Sequence, residues 1–353
     1  VSDGALTDTQ AIAVTVANIN EAPSGTNKTI TTLEDATYTF TTADFGFTDV
    51  DSNALLKVWF DTIPNNGTLL WNGSAFAAGN WIAAVDITTG QLTYQPAVNV
   101  NGFSIASFTF RVQDDGGTAN GGSDTDPTAN TININISAVN DAPTFSSSMM
   151  FTGITEDAVS NTGMLVSSFN STISDVDAGA LKGIAIASVD NSNGTWQYTL
   201  DGTNWFAIGS VSTASARLLA SDATTSFRFV PNADWNGSTG LINYKAWDQT
   251  SGTTGGLVDV TVAGGTTAFS QFGNGSSLSI TAVNDAPTAL STTTTLTAVI
   301  EDTTNPSGAT IASLFGSTFG DVKDQVTGGS TANNFAGVAI FANAANASTE
   351  GVW

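Results

Sequence analysis

Cysteine and histidine are absent from the 353 residues, and only 8 of them are lysine or arginine. Without cysteine there is no disulfide, no thiolate nucleophile and no zinc finger; without histidine there is no imidazole base. Any metal must be held by oxygen, which selects a hard cation such as calcium or magnesium. Basic charge is scarce as well. Asp and Glu total 31, leaving a net charge of −23. So acidic a chain offers no footprint for nucleic-acid phosphates or for anionic membrane surfaces. Long hydrophobic runs are also missing: no stretch approaches the roughly 18 apolar residues that signal a membrane span, and no signal peptide opens the chain. Calcium can replace disulfides outside the cell, so the missing cysteines do not indicate a reducing compartment.

What is present repeats. ANINEAPS at 17–24 is followed by AVNDAPT at 138–144 and again at 282–288. A strand-like alternation precedes each copy, in Ile12/Val14/Val16, Ile132/Ile134/Ile136 and Leu278/Ile280. Asn20, Asn140 and Asn284 thus recur 120 and then 144 residues apart, a tandem-repeat period. Between them, Tyr38/Phe40, Phe108/Phe110/Val112, Trp196/Tyr198/Leu200, Phe227/Phe229 and Val258/Val260/Val262 alternate with other residues at period two. That is the pattern of half-buried antiparallel strands, here separated by Gly, Asn, Asp and Ser turns. Helical periodicity is confined to a short turn around Ile311–Phe315. The expected architecture is all-β: tandem antiparallel β-sandwiches, Ig-like with Greek-key connections. Residues 1–22 read as the last strand of a truncated preceding repeat, 23–142 and 143–286 as whole repeats, and 287–353 as the opening of a following one. On that reading the sequence is a window cut from a longer protein. Stacked end to end, such repeats touch only their neighbours and form a rod.

The acids keep four stations. An early Glu comes first, at Glu34, Glu156 and Glu301; then a close Asp pair, Asp49/Asp51, Asp175/Asp177 and, with Lys323 inside it, Asp321/Asp324. Third is an Asp closing an alternating strand, Asp114 and Asp248, with Asp3 at the same place near the start. Last comes the linker itself, Asn20/Glu21, Asn140/Asp141 and Asn284/Asp285. A lone Asp-x-Asp is an ordinary turn. Recurrence in register is what argues for a cation, because gathered carboxylates repel at roughly 1 kcal/mol or more per close pair and a metal reverses the sign. Asp124 and Asp126, in GGSDTDPT, occur once and read as a solvated loop.

This order of stations resembles the cadherin repeat, and more closely the bacterial cadherin-like repeats of giant surface proteins and adhesins. The resemblance implies calcium at each linker. At 140 the implied ligands are Glu34, Asn140, Asp141, Asp175, Asp177 and Asp248; at 284 they are Glu156, Asn284, Asp285, Asp321 and Asp324; at 20 they are Asn20, Glu21, Asp49, Asp51 and Asp114. The chain departs from animal cadherins in carrying Ala138 and Ala282 where those linkers have another Asp, and in lacking an Asp-Arg-Glu station; PNADWNG stands near that place. Fewer ligands imply fewer than three ions per linker.

The implied function is mechanical: a non-catalytic, calcium-stiffened extender of a large secreted or bacterial cell-surface adhesin. Its partners would be calcium, neighbouring repeats, and homotypic or fibre-forming contacts. Two alternatives stand beside it. One is a structural subunit of an extracellular fibre, sheath or surface layer, whose unpaired edges a neighbouring chain completes. The other is a carbohydrate-binding module, suggested by Trp59, Trp71, Trp81, Trp196, Trp205, Trp235 and Trp247. Their place in alternating strands makes core packing the expected fate of most of these tryptophans.

Overall fold

Alternation becomes burial along Asn130–Ser137, where Ile132, Ile134 and Ile136 point into a core and Asn133 and Asn135 take the other face. The computed structural model describes residues 9–325 and 334–345, together with Ser2, Gly4, Ala5, Thr7 and Ser348. Asp3 and much of the expected opening of a repeat after 325 lie outside the described residues. The chain divides into two compact units, Val1–Val139 and Asn140–Trp353.

In the first unit the strands are β1 (Lys28–Leu33), β2 (Tyr38–Thr39), β3 (Leu55–Phe60), β4 (Thr68–Trp71), β5 (Ser74–Ala75), β6 (Asn80–Ala83), β7 (Leu92–Gln95), β8 (Gly102–Asp114) and β9 (Asn130–Ser137). One sheet runs β1-β9-β8-β3-β6 and the other β2-β7-β4-β5. Phe60, Phe108, Phe110 and Ile132 from the first meet Leu69, Leu92 and Tyr94 from the second in a single core. Two sheets sharing one core make a sandwich. Aromatic edges fill it: Phe45 meets Phe110 at 5.0 Å and 84°, and Phe40 meets Phe108 at 5.7 Å and 82°. Gly46 ends the short helical turn that carries Phe45; its φ is +57°, and a Cβ there would strike the Thr26 side chain. The pairing is antiparallel except where β1 lies parallel to β9, with Lys28 opposite Ile132. This parallel closure was not readable from alternation, which fixes the face of a residue and not the direction of its neighbour.

The second unit adds β10 (Thr144–Phe145), β11 (Ile154–Thr155), β12 (Met164–Leu165), β13 (Ile173–Ser174), β14 (Gly183–Ser188), β15 (Gly194–Thr199), β16 (Phe206–Ala207), β17 (Ala216–Ala220), β18 (Ser226–Pro231), β19 (Gly237–Ser238), β20 (Ile242–Trp247), β21 (Leu257–Val258), β22 (Asn274–Ser276) and β23 (Ser279–Thr281). Sheets β12-β18-β15-β16 and β21-β17-β14-β20-β22 enclose Trp196, Phe227, Phe229, Ile184 and Tyr244. The parallel closure recurs, Ile154 of β11 lying opposite Ile280 of β23. The Gly/Thr/Ser-rich stretch at 249–275 does more than connect. Val260 and Phe269 pack there with Leu218 and Trp247 in a second small core, while Val262 is exposed. Beyond the last linker, β24 (Thr288–Ala289) pairs with β25 (Phe319–Gly320), and Ile311–Phe315 is a short α-helix, as its spacing predicts.

Two expectations differ. Ile12, Val14 and Val16 alternate like a strand, yet they are exposed and 9–23 forms no named strand, because the described residues supply no sheet for it to join. The tryptophans also split. Trp196 and Trp247 are buried, but Trp59, Trp71 and Trp81 are 38%, 43% and 50% exposed. In LKVWF it is Val58 and Phe60 that face inward, so the same period turns Trp59 to the surface.

Phe108→Ala should therefore destabilise by about 3–5 kcal/mol, as a fully buried ring removed from an aromatic cluster, whereas Trp59→Ala should cost less than about 1 kcal/mol. Urea unfolding of the two variants checks this; equal losses would mean the inward phase of β3 is misassigned.

Candidate metal centres at the linkers

Each linker threads its backbone N–H groups onto carboxylates. Glu34 directly follows strand β1 and Glu156 directly follows β11, both only 3% exposed. Glu34 Oε1 accepts the N–H of Val139 at 2.7 Å, and Glu156 Oε1 accepts that of Val283 at 2.6 Å. The other oxygen of each accepts a side-chain amide, Asn101 Nδ2 at 3.0 Å and Asn236 Nδ2 at 2.8 Å. Neither Asn101 nor Asn236 was singled out from sequence. The signal is the Asn-Gly that ends both PAVNVNG and PNADWNG.

On the far side of the linker asparagine, the second acid of each pair takes the next N–H. Glu21 N donates to Asp51 Oδ2 at 2.8 Å, Asp141 N to Asp177 Oδ2 at 2.8 Å, and Asp285 N to both oxygens of Asp324 at 3.3 Å. The asparagine reaches the strand-end acid. Asn20 Nδ2 lies 3.1 Å from Asp114 Oδ1, and Asn140 Nδ2 2.9 Å from Asp248 Oδ2. Gly116 leaves room for this, since a Cβ there would overlap the Asn20 carboxamide. The Asn20 oxygen in turn accepts from Asn53 Nδ2.

Within the first unit, Asn20, Glu21, Asp49, Asp51 and Asp114 are thereby brought into one bonded neighbourhood, Asp49 entering through Asn53 N to its Oδ1 at 2.9 Å. Within the second unit, Asn140, Asp141, Asp175, Asp177 and Asp248 are joined likewise, with Asp177 N on Asp175 Oδ1 at 2.9 Å and carboxylate oxygens of Asp141 and Asp177 within 4.8 Å. Glu156, Asp285 and Asp324 gather at the 284 linker, where Asn284 Nδ2 folds back on the Asp285 carbonyl at 3.2 Å and Asp321 is buried. Glu301 stands exposed. Asp126 corrects the solvated-loop expectation: it is buried, and its carboxylate accepts Gly25 N, Thr128 N and Asn130 Nδ2. Three such bonds make it a structural acceptor. Asp124, half-buried, accepts from Gln113 Nε2.

Several acceptors are left over. Asp49 Oδ2, Asp175 Oδ2 and Asn236 Oδ1 are buried without a hydrogen-bond partner. An orphaned carboxylate oxygen beside other carboxylates is costly unless a cation meets it. The titration directions agree at Asp175 and Glu21 and run the other way at Asp51. Burial pushes the Asp175 carboxyl above its ordinary range, and the Asp177 and Asp248 charges add to it. Glu21 is raised by its hydrogen bond and charge contact with Asp51, while Asn18 Nδ2 and then the Glu21 N–H hold Asp51 down. The donor sets fit calcium, which takes 6–8 oxygens: Glu21, Asp49, Asp51 and Asp114 in one, Asp141, Asp175, Asp177 and Asp248 in the other.

No family model matches the chain, and no curated protein sequence matches it. Among solved structures it is similar to mouse cadherin-23 EC22-24, at 17% identity over 76% of this chain and 70% of that one, with a TM-score of 0.40. It is similar also to the extracellular cadherin domains 3-6 of protocadherin gamma B2, at 15% identity over 75% and 49%, TM-score 0.35. A third is the human desmocollin-1 ectodomain, at 12% identity over 76% and 43%, TM-score 0.36. The chain spans about half the length of the latter two. Each of these solved structures is a set of cadherin extracellular domains.

Because Asp175 holds its proton more tightly folded than unfolded, its contribution without metal falls as pH rises above about 3.9. Asp175→Asn should then leave the metal-free protein as stable or slightly more stable at neutral pH, by less than about 1 kcal/mol, and remove the part of any calcium-induced rise in Tm that the 140 set supplies. Melting in chelator and in calcium tests both halves; a variant that keeps the full calcium response removes Asp175 from the donor set.

Proposed function

We propose that this chain is a calcium-stiffened, non-catalytic extender of a large secreted or bacterial cell-surface adhesin-like protein. The observation that carries the reading is the repeated bonding of the linkers. Asp51 and Asp177 accept the N–H groups that follow Asn20 and Asn140, and the first acid of each pair, Asp49 and Asp175, holds a buried oxygen without a hydrogen-bond partner. A calcium ion shared by Asp141 and the Asp175–Asp177–Asp248 group would fix the direction in which the chain enters the second unit. Glu34, holding the Val139 N–H, already fixes the direction in which it leaves the first. Pro23, Pro143 and Pro287 restrict the same segments further. The expected homotypic contacts and extracellular setting belong to this reading; among the described residues no helix is long and apolar enough to cross a membrane.

Calcium modules outside cells bind with dissociation constants of about 10⁻⁴–10⁻³ M, so at tenfold excess each site adds about 1.4 kcal/mol. That is too little to fold a sandwich and enough to order a short linker. Chelation should leave the β-sheet circular dichroism unchanged, lower Tm modestly, and broaden the distance distribution in small-angle scattering. Identical scattering and Tm with and without calcium would end the reading.

A second reading, saccharide binding, is favoured by one surface. Trp59 and Trp81 sit directly opposite each other on the outer face of β3 and β6, and Arg111 is the partner of Trp59 on β8. The Lys57 ammonium lies 4.6 Å from the Trp81 ring, and exposed rings beside cations suit the apolar faces and carboxylates of acidic sugars. Tryptophan emission should shift on adding oligogalacturonate and stop shifting in Trp59→Ala/Trp81→Ala; silence in the parent chain dismisses it.

A further inference from the structure

The 284 linker differs from the 140 linker by a pair of opposite charges, Lys323 and Asp234, and the two touch. Its acid pair is one residue longer, Asp321/Asp324 against Asp49/Asp51 and Asp175/Asp177. Asp324 keeps the duty of Asp51 and Asp177, accepting the linker N–H. The residue gained inside the pair is Lys323, whose Nζ lies 3.3 Å from Asp285 Oδ1 and 3.6 Å from Asp234 Oδ1. Asp234 is itself the other change. In PAVNVNG and PNADWNG it stands where the earlier repeat has the neutral Asn99, and the two share a turn, with φ of +58° and +56°. Two residues on, Asn236 and Asn101 make the same bond to Glu156 and Glu34. The backbone is thus conserved between the two copies while one acid and one base have been added in contact.

We propose that Lys323 is a built-in cation of the 284 linker. It clasps the linker acid Asp285 to Asp234 without metal, where the 20 and 140 linkers depend on calcium. An ammonium brings one positive charge and three donors to carboxylates that would otherwise face only one another. It also occupies the approach to Asp285, the linker oxygen a metal would need, so this set binds calcium more weakly than the others. The contrast between linkers rests on the calcium reading above; the clasp does not. The Lys323 side chain is 46% exposed and those of its partners 20% and 32%, so the clasp is a modest, salt-sensitive contact. Both carboxylates hold the lysine pKa above its ordinary value, Asp285 first, and keep it charged.

The test is amide hydrogen exchange on the whole 353-residue chain, with Lys323→Gln beside the parent. In chelator the parent should keep its protection at Asp285 while Glu21 and Asp141 lose theirs. Lys323→Gln in chelator should exchange at Asp285 roughly two- to fivefold faster, the range for a half-exposed ion pair. Added calcium should restore it, and native mass spectrometry should count one more tightly held calcium than in the parent. Asp234→Asn should quicken the same amide, and the double variant should add little to either single one. Lys323→Gln exchanging like the parent in chelator, or parent Asp285 losing protection on chelation, overturns the clasp. Should Glu21 and Asp141 ignore calcium altogether, the stiffening reading fails, and the chelator comparison of parent and Lys323→Gln still decides the role of Lys323.

Discussion

The structure turns on one interaction, the carboxylate that accepts a linker backbone N–H. A linker between sandwiches belongs to no sheet, so its N–H groups have no ladder to join and must find other acceptors. Here they find Glu34 and Glu156 before the asparagine and Asp51, Asp177 and Asp324 after it. A neutral acceptor would have satisfied the amides equally. Carboxylates also bring charge, and beside Asp51 and Asp177 the first acid of each pair, Asp49 and Asp175, keeps a buried oxygen without a hydrogen-bond partner. In the reading proposed above, those oxygens are where a cation would be held. Burial first, and then the charges of Asp177 and Asp248, push the Asp175 carboxyl above its ordinary range.

The sandwiches supply what this arrangement requires, namely fixed ends. The early glutamates sit where β1 and β11 leave their parallel pairing with the last strand, and Glu34 N and Glu156 N extend that ladder to Ser137 and Thr281, each at 3.1 Å. The glutamate and the linker residue it holds are thus carried by the two strands of one ladder. Their separation is set by strand geometry and does not vary with loop length. That explains how repeats of different length, the longer one with a second small core around Phe269 and Trp247, present the same bonds.

Sequence pattern made much of this legible. Period-two alternation located Ile132–Ile136, Phe108–Val112 and Phe227–Phe229, and recurrence singled out the acids. It was silent on two matters. Asn101 and Asn236 act through one side-chain bond each, and asparagine before glycine is too common in turns to be marked as an acceptor's partner. Phase was the other: alternation says that neighbours face opposite ways, and deciding which way needs the whole sheet. Trp59 faces outward because its strand also holds Val58 and Phe60, which take the interior face. The linker acids were easy to find for the opposite reason. Their signal is local, repeated, and tied to a proline that ends strand-like backbone.

Charge accounting separates the three linkers more sharply than their motifs do. The chain has 8 basic residues against 31 acids, so a lysine among linker carboxylates is costly to read as chance. Most of the others are engaged elsewhere: Lys28 with Asp44, Arg111 with Asp61, Lys182 and Lys245 with backbone carbonyls. Only at the 284 linker does a base enter the acid pair, and the turn before it carries Asp234 where the turn before the 140 linker carries Asn99. A divalent ion and an ammonium solve the same electrostatic problem, but they differ in reach. The ion answers to its concentration in the surroundings, and the lysine does not. On the reading proposed above, the 20 and 140 linkers would follow calcium, while the 284 linker carries its own cation in Lys323.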